Sequence, residues 1–429
     1  MHVAFDISAL DPTFKSHSYR GIGRYVERLR AALESLKTDH LSLSWFDHNE
    51  LLSSGIAPKL INAMPFGRTT IRQQALYPWR LSGSSLRGAD FVHFPAHMDG
   101  PAWSNKPYVL TLLDLIPLIL EDLYRANRPN WRYCFARWLE KTSILNASFI
   151  LTISETTACD AERVLGIPRE RIAVTPCGVD SRFTDTFSRR LARSSDDSQR
   201  IRTKLGLPAQ RPIILYVGGH DERKNTHKIV EIAREVIDQA TALSLSAPIV
   251  VFAGKIAEGV EMDKITTALR DFSMAADTFL LGYVEDQDLL DLYCEASVFL
   301  FPSLYEGFGL PPLEAMATGL PVVSSDAGAL PEVLGSAALY MKPNDIFESA
   351  RHVVSLLSDD NLASRFSALG FERAKLFSWI RTAETTVRAY QEVYRVLNDK
   401  KEPRRIAQVM KAKKLKNQEM KKQTISNGA

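Results

Sequence analysis

Short apolar runs alternate along this chain with longer segments in which apolar residues recur every three or four positions. The runs include His2 to Ile7, Tyr108 to Leu113, Ile213 to Val217 and Val298 to Phe301. Such continuous runs are typical of parallel strands that are covered by helices on both faces of the sheet. The segment that begins at Ile229 has the spacing of one buried helical face. The alternation predicts an α/β protein with two doubly wound, Rossmann-like domains and a cleft between them.

The two series of strands are separated by a polar stretch from Ser188 to Arg200, which predicts a surface loop or linker. We therefore expect an amino-terminal domain over residues 1–190 and a carboxyl-terminal domain over 201–378. A long amphipathic helix is predicted over 379–398, followed by a tail over 399–429. Ligands of such folds bind at the carboxyl ends of the strands, so these ends should line the cleft.

Composition favours a globular protein and disfavours membrane-spanning, secreted and disulfide-rich classes. The chain has 429 residues, of which 45% are apolar and 24% are charged, as in ordinary globular proteins of more than one domain. No apolar run reaches the roughly 18 residues of a membrane helix, and the first residues lack the layout of a secretory signal. The four cysteines have neither disulfide-framework nor metal-ligand spacing. We expect a reduced, cytoplasmic enzyme.

The net charge of +3 is unevenly distributed, because residues 400–422 contain ten Lys or Arg and two acids. This tail has three open interpretations. It is a solvated, partly disordered end, a surface helix for anionic lipid, or a nucleic-acid-binding arm. Ile406, Val409 and Met410 place apolar positions among the lysines. They favour lipid, so we expect docking on the inner face of the cytoplasmic membrane and no nucleic-acid partner.

The segment from Phe301 to Gly319 carries the most specific candidate chemistry. An apolar strand is followed by a glycine-containing loop, and Pro311 and Pro312 open a short helix. A loop and a helix N-terminus supply backbone N–H groups for a phosphate or a sugar. Glu306 in the loop and Glu314 in the helix can point into one crevice and accept hydrogen bonds from vicinal hydroxyls. The alternative is one acid that caps the helix and one that is solvated.

A second candidate follows the strand that ends at Val217. Gly218 and Gly219 come first, and Arg223 and Lys224 open the next helix. Because cations oppose the positive end of a helix, a bound anion would account for them, and a diphosphate is the natural one. The alternative is a pair of solvated helix charges.

Asp114 ends another apolar strand, so it either orients a hydroxyl in the cleft or caps the following turn. His93 and His97 flank the preceding strand end and are possible groups on the acceptor side, although a lone histidine is more often structural.

Two motifs suggest cofactors only superficially. Gly21 and Gly23 precede the first helix, but Val26 replaces the third glycine of a dinucleotide fingerprint, which disfavours an oxidoreductase. Asp286-Gln287-Asp288 precedes a helix whose N-terminus acids stabilise. We therefore expect neither a cofactor nor a required metal.

Several segments, taken in their order along the chain, resemble motifs of glycosyltransferase family 4. The members of this family are retaining enzymes of GT-B fold, and the resemblance covers nearly the whole chain. Glu306 to Ala317 is similar to the family's E-x7-E signature, and Gly21 to Tyr25 resembles its amino-terminal glycine loop. Asp114 to Leu118 resembles a segment of bacterial mannosyltransferase-like members. The other similar segments are Ser154-Glu155, Pro176 to Asp180, Tyr216 to Asn225 and Leu330 to Val333.

The resemblance implies roles for individual residues. Arg223 and Lys224 would bind the donor diphosphate. Glu306 would bind the hydroxyls of the transferred sugar, and Glu314 the ribose. Glu306, Asp114 and Lys224 are the implied catalytic residues. The implied donor-binding residues are Arg223, Lys224, Glu306, Gly307, Phe308, Gly309, Leu310, Glu314, Gly21 and Gly23. The last helix would cross back onto the amino-terminal domain.

The implied function is metal-free, retaining transfer of a hexose from a nucleoside-diphosphate sugar, with GDP-mannose favoured. The acceptor would be a glycan or a lipid-linked oligosaccharide in cell-surface polysaccharide synthesis, such as O-antigen. Leu113 stands where the family often has His, and Gly219 where many members have Arg. The alternatives are a UDP-sugar-dependent transferase, an epimerase or phosphorylase of the same fold, and a degenerate sugar-nucleotide-binding module.

Overall fold

The computed structural model describes most of the chain. The described residues are 1–12, 21–36, 39–47, 86, 88–125, 131–219, 221–254 and 259–399. The basic segment at 400–422, with its predicted lipid contact, lies outside them.

In the first half, the described residues form a sheet of six parallel strands in the order β2-β1-β3-β4-β5-β6. The strands are β1 His2–Asp6, β2 Ser42–Phe46, β3 Phe91–Phe94, β4 Tyr108–Leu112, β5 Phe149–Thr152 and β6 Ile172–Val174. The central strands β3, β4 and β5 are buried at every position, as their apolar runs predict.

The described helices of this half are α1 Gly21–Ser35, α2 Ile116–Ile119, α3 Glu121–Arg125, α4 Trp131–Asn146 and α5 Glu155–Leu165. The sequence determines both ends of helix α5. The Ser154 hydroxyl accepts the N–H of Thr157, and Gly166 ends the helix at φ 69°. Helix α1 corrects one prediction, because Gly21 and Gly23 lie in its first turn and not in a preceding loop.

The second sheet has the order β12-β11-β10-β7-β8-β9, again parallel. Its strands are β7 Ile213–Val217, β8 Ile249–Ala253, β9 Thr278–Gly282, β10 Val298–Phe301, β11 Val322–Ser325 and β12 Ala338–Met341. The remaining helices are α6 Ser181–Leu191, α7 Ser195–Lys204, α8 Thr226–Ala242, α9 Val260–Asp271, α10 Asp286–Glu295, α11 Leu310–Ala317, α12 Leu330–Leu334, α13 Ile346–Ser358, α14 Asp360–Ala374 and α15 Trp379–Asn398. The two predicted doubly wound sheets are thereby confirmed.

The order of the second sheet fixes where a ligand can bind. Successive strands run from β7 to one edge through β8, and the chain then returns to the other side of β7 at β10. At such a reversal the connections leave the sheet in opposite directions and open a crevice at the carboxyl ends of the two strands. The loops that follow β7 and β10 therefore meet there.

The loop predicted from Ser188 to Arg200 is wrong, because helices α6 and α7 occupy it except for residues 192–194. Ser194 and Asp197 form a capping box at the start of α7. The Arg190 guanidinium donates to the backbone carbonyls of Tyr293 and Cys294 at the end of α10. Helix α6 also packs against the second half through Phe187, whose ring stacks on Phe371 with centroids 3.9 Å apart.

Helix α15 returns to the first sheet. Its buried residues Ala389, Tyr390 and Val393 share a core cluster with Val3 of β1 and Phe91 of β3. Among the described helices, none is long and apolar enough to cross a membrane.

Candidate active site

The loops after β7 and β10 are tied together at the predicted crevice. The N–H of Leu304 donates to the carbonyl of Arg223 at 2.7 Å, and the Asn225 side chain donates to the carbonyl of Pro302 at 3.3 Å. Prolines occupy the first turn of α11, as predicted, and Gly309 precedes it at φ 106°. This left-handed conformation favours glycine and turns the loop into the helix.

Arg223, Lys224 and Glu306 form an ion cluster between these two loops, referred to below as the cation cluster. Arg223 Nη1 lies 2.7 Å from Glu306 Oε2, and Lys224 Nζ lies 2.6 Å from Glu306 Oε1. The Lys224 ammonium also lies 4.9 Å from the centroid of the Phe301 ring. All three side chains are largely buried, so the alternative of solvated helix charges is wrong.

The two cations do not open helix α8. They lie on a short 3₁₀ turn, Glu222–Lys224, in which the Asp221 carboxylate accepts the N–H of Arg223. Asn225 then adopts φ 56° and separates this turn from α8. The turn directs both side chains toward the loop that carries Glu306.

The cluster fixes its own charge state. Burial raises the pKa of Glu306, but the positive charges of Arg223 and Lys224 outweigh burial and lower that pKa to about 2. Burial lowers the pKa of Lys224, and the neighbouring Arg223 lowers it further against the opposing effect of Glu306. At neutral pH Glu306 is therefore a carboxylate that two cations share.

The cations retain donors for a ligand. Lys224 can donate three hydrogen bonds, and its one acceptor among the described residues is Glu306. Arg223 uses Nη1 for Glu306 and the carbonyl of Tyr305, whereas Nη2 has no hydrogen-bond acceptor in the described part of the chain. These donors suit the oxygens of a diphosphate.

Glu314 lies in a different environment, inside α11. Its Oε1 accepts from Arg24 Nη1 at 3.0 Å, and its Oε2 accepts from the Tyr293 hydroxyl at 3.3 Å. Burial raises the pKa of Glu314, and the lowering by Arg24 and Tyr293 does not cancel this effect. The alternative of a helix cap and a solvated acid is wrong, because both Glu306 and Glu314 are buried.

Arg24 is the residue that sequence analysis missed. It belongs to α1, in the first half of the chain, and reaches Glu314 across the cleft. A second ion pair of α1, Arg28 with Asp180, lies one helical turn away at 2.8 Å. The segment from Gly21 to Tyr25 resembles the family's glycine loop through its two glycines, whereas its Arg24 side chain is what contacts the other domain. Gly21 has open space where a side chain would project.

Gly307 joins the cation cluster to the opposite strand end. A β-carbon at this position would lie 2.5 Å from the Leu113 carbonyl oxygen and 2.9 Å from the Asp114 β-carbon, so a glycine is required for this approach. The Ser154 hydroxyl donates to the Gly307 carbonyl at 2.8 Å. Asp114 thus lies beside the predicted sugar site, while its Oδ1 accepts the N–H of Ile116 at 3.1 Å, which is the capping interpretation.

Other predicted residues act mainly through the backbone or the core. The Phe308 side chain is buried against Phe377, with ring centroids 5.8 Å apart, and Leu310 begins α11. His93 is buried between Tyr390 and Thr111, and burial lowers its pKa to about 3, which makes it a structural residue. His97 lies 3.0 Å from Glu140.

Glu332, in the segment that resembled LPEV, holds the two domains together. Its carboxylate accepts the backbone N–H groups of Glu155 at 2.7 Å and Thr156 at 2.9 Å. An acid at the N-terminus of α5 is favourable.

The Asp286-Gln287-Asp288 carboxylates are paired with cations. Asp286 contacts Arg182 at 2.9 Å, and Asp288 contacts Lys204. Within the described ranges, no group of three or more His, Cys, Asp or Glu side chains could hold a metal ion.

Comparison with known proteins gives two family matches and several relatives. Residues 19–183 match the Glycosyltransferase Family 4 profile, and residues 197–373 match Glycosyl transferases group 1. The chain is 33% identical over 390 residues to O-antigen chain mannosyltransferase B of Escherichia coli, covering 86% of this chain and 96% of that protein.

Solved structures extend the similarity to the fold. Sucrose-phosphate synthase of Thermosynechococcus elongatus superposes with a TM-score of 0.67 at 20% identity, covering 92% of this chain and 99% of the other. WaaG, described as a glycosyltransferase involved in lipopolysaccharide biosynthesis, gives a TM-score of 0.64 at 17% identity, with 90% and 99% covered. The GT-B fold that the sequence predicted is confirmed.

Proposed function

The chain belongs to glycosyltransferase family 4, and from this premise we propose that it transfers a hexose, with mannose favoured, from a nucleoside-diphosphate sugar to a glycan or lipid-linked oligosaccharide. The observation that carries the proposal is the cation cluster at the crevice beside β7 and β10. The similarity to a protein named O-antigen chain mannosyltransferase B supports GDP-mannose and an O-antigen-type acceptor.

The cluster suits the departure of a nucleoside diphosphate. Breaking the bond between the anomeric carbon and the phosphate oxygen places negative charge on the phosphate and positive charge on the sugar ring. Arg223 and Lys224 would stabilise the phosphate with their spare donors, typically by several kcal/mol in total. The ionised Glu306 would accept hydrogen bonds from the sugar hydroxyls and stabilise the positive ring.

The proposed transfer occurs on one face of the sugar. The acceptor oxygen forms its bond to the anomeric carbon on the face that the phosphate leaves, so the configuration is retained. The acceptor proton passes to the departing phosphate oxygen, which balances the reaction without a metal. Asp114, next to Gly307, would orient the sugar or the acceptor hydroxyl.

Glu314 would bind the ribose of the donor. Its carboxylate is already contacted by Arg24 from the other side of the cleft. Ribose hydroxyls would therefore share or replace this ion pair, and nucleotide binding would be coupled to the position of α1. We expect docking of the enzyme at the inner face of the cytoplasmic membrane, with the segment at 400–422 as one contact.

Calorimetric titration with GDP, UDP and ADP, without added metal, tests the donor site. We expect GDP to bind, Lys224→Ala and Glu314→Ala to lose binding, and Lys228→Ala, which removes a neighbouring ion pair with Glu231, to keep it. Preference for UDP would identify a UDP-sugar donor instead.

Turnover is tested separately by incubation with GDP-mannose and an oligomannose acceptor, with NMR of the product's anomeric configuration. An α-linked product indicates retention. Nucleotide binding without release of mannose would make the chain a non-catalytic sugar-nucleotide-binding module.

A further inference from the structure

A tyrosine of the first domain contacts the turn that carries Arg223 and Lys224. Tyr124 lies in the short helix α3, and its hydroxyl donates to Asp221 Oδ1 at 2.7 Å. Asp221 belongs to the other domain and immediately precedes the 3₁₀ turn. The hydrogen bond therefore crosses the cleft beside the cation cluster, although it contributes no charge to that cluster.

Asp221 holds both the backbone and the side chain of Arg223. Its Oδ1 accepts the N–H of Arg223 at 3.1 Å, and its Oδ2 lies 3.5 Å from Arg223 Nε. A carboxylate oxygen has two lone pairs, so Oδ1 can accept from Tyr124 and from Arg223 together. Because the position of the Arg223 guanidinium depends on the Asp221 carboxylate, a group that fixes this carboxylate also orients the guanidinium.

A tyrosine hydroxyl suits this task because it stays neutral. Burial and the negative charge of Asp221 raise the pKa of Tyr124 above its ordinary value of 10.0, so the hydroxyl remains protonated and donates. A cation in this position would compete with Arg223 for the charge of Asp221. A neutral hydroxyl fixes the carboxylate and leaves that charge to Arg223.

The chain segment that supplies Tyr124 contacts both loops of the crevice. At its start, Asp114 lies beside Gly307 in the loop after β10. At its end, Tyr124 contacts Asp221 in the loop after β7, and helix α2 lies between these two contacts. One segment of the first domain therefore meets the sugar side and the phosphate side of the proposed donor site together.

We infer that Tyr124 is a positioning residue for the transfer reaction, which orients the Arg223 guanidinium toward the donor diphosphate through Asp221. The inference rests on the proposed function. Since its hydrogen bond spans the cleft, Tyr124 acts while the two domains are closed on the donor. Loss of the hydroxyl should lower kcat more than the affinity for free nucleotide, because Arg223 keeps its contact with Glu306 in the variant.

Tyr124→Phe tests the inference, because it removes the hydroxyl and keeps the ring. Steady-state kinetics with GDP-mannose and an oligomannose acceptor should show a kcat lowered roughly tenfold, since a hydrogen bond to a charged group is lost. The Kd for GDP, measured by calorimetry, should stay within about twofold of the wild type. Tyr340→Phe is the matched control, because it removes a hydroxyl that donates to the Gly335 carbonyl at 2.6 Å inside the second domain. This control should leave kcat unchanged.

A double-mutant cycle separates positioning through Asp221 from a purely structural role of Tyr124. In an Asp221→Ala background, Tyr124→Phe should change kcat by less than about twofold, because the acceptor of the hydroxyl is already absent. An equal loss of kcat in both backgrounds would overturn the inference. An unchanged kcat of Tyr124→Phe would also overturn it, as would a loss of GDP affinity as large as the loss of kcat.

Failure of the inference and failure of the proposed function give different results. A wild type that transfers mannose with a kcat that Tyr124→Phe does not change keeps the proposed function and overturns the inference alone. A wild type that binds a nucleotide but transfers no sugar from the matching sugar nucleotide overturns the proposed function, and the inference with it.

Discussion

Glu306 and Glu314 are both glutamates, one in the loop after β10 and the other in helix α11, yet their environments differ. The cations beside Glu306 belong to its own domain, and they lower its pKa to about 2. The cation beside Glu314 is Arg24 of the other domain, and the pKa of Glu314 stays raised because burial dominates. The charge of Glu306 is therefore fixed within one domain, whereas the charge of Glu314 depends on contact across the cleft.

This difference assigns separate tasks to the two ends of the cleft. A permanently charged cluster suits phosphate and sugar, whose charge changes during the reaction. A carboxylate whose partner comes from the facing domain suits a group that is bound as the domains close. Four predictions test this contrast, from the largest effect to the smallest.

Loss of one cation from the fixed cluster should have the largest effect. Lys224→Ala should lower kcat by at least about 100-fold, because a preorganised donor to the leaving phosphate is removed. Steady-state kinetics with GDP-mannose measures this effect, and Lys228→Ala is the matched control. A kcat within a few-fold of the wild type would remove Lys224 from the proposed mechanism.

Glu306→Gln should destabilise the protein by about 3 kcal/mol at neutral pH, because it leaves two buried cations without their carboxylate. The pKa of Glu306 is lower in the folded protein than its ordinary value of 4.5, so its contribution is present above pH 4.5 and is lost as the pH falls toward about 2. Urea denaturation at several pH values measures the difference in the free energy of unfolding between the wild type and Glu306→Gln. This difference should disappear as the pH falls through that window.

The control for this experiment is Glu392→Gln, which removes an exposed ion pair with Arg395 and should cost under about 1 kcal/mol. A difference in the free energy of unfolding between wild type and Glu306→Gln that does not depend on pH would contradict the charge assigned to the cluster.

Glu314→Gln should weaken nucleotide binding by roughly tenfold at neutral pH, because a charged acceptor is replaced by a neutral one. In the wild type, affinity should fall as the pH falls through the raised pKa of Glu314, above its ordinary 4.5, as the carboxylate is protonated. The Glu314→Gln variant should lack this fall in nucleotide affinity toward low pH, which is referred to below as the acid limb. Calorimetry at several pH values distinguishes the two, and an unchanged acid limb in the variant would assign it to another group.

Arg24→Ala should have the smallest effect, a several-fold loss of affinity at neutral pH. Without Arg24 the pKa of Glu314 should rise further, so the acid limb of nucleotide binding should move to higher pH. Arg24→Lys should keep most of the wild-type profile because it retains the charge. If Arg24→Ala leaves the limb in place, Glu314 is not controlled from across the cleft.

The sequence predicted the elements whose causes are local. The runs at Tyr108 and Ile213 became buried strands, and Pro311 and Pro312 opened α11. It missed the edge strands β2, β6 and β12, where half-exposed positions interrupt the apolar pattern. It also missed α6 and α7, which bury few apolar residues and whose arginines donate to α10.

Within the candidate site, the residue patterns singled out the pair Glu306 and Glu314 and the pair Arg223 and Lys224, and the resemblance to the family implied that both pairs belong to one donor site. Neither the patterns nor the resemblance identified Arg24 or the opposite pKa directions of the two glutamates. Those properties depend on which side chains meet across the cleft, and residues 290 positions apart in the chain leave no local pattern.

By itself, the sequence determined the two parallel sheets, their central strands and the residue types at the ends of those strands, because hydrophobic period, proline and glycine act over a few neighbouring residues. The tertiary structure alone decided that Glu306 is neutralised within its domain and Glu314 across the cleft. Charge interactions act over distances in space, and only the packing of the two sheets sets those distances.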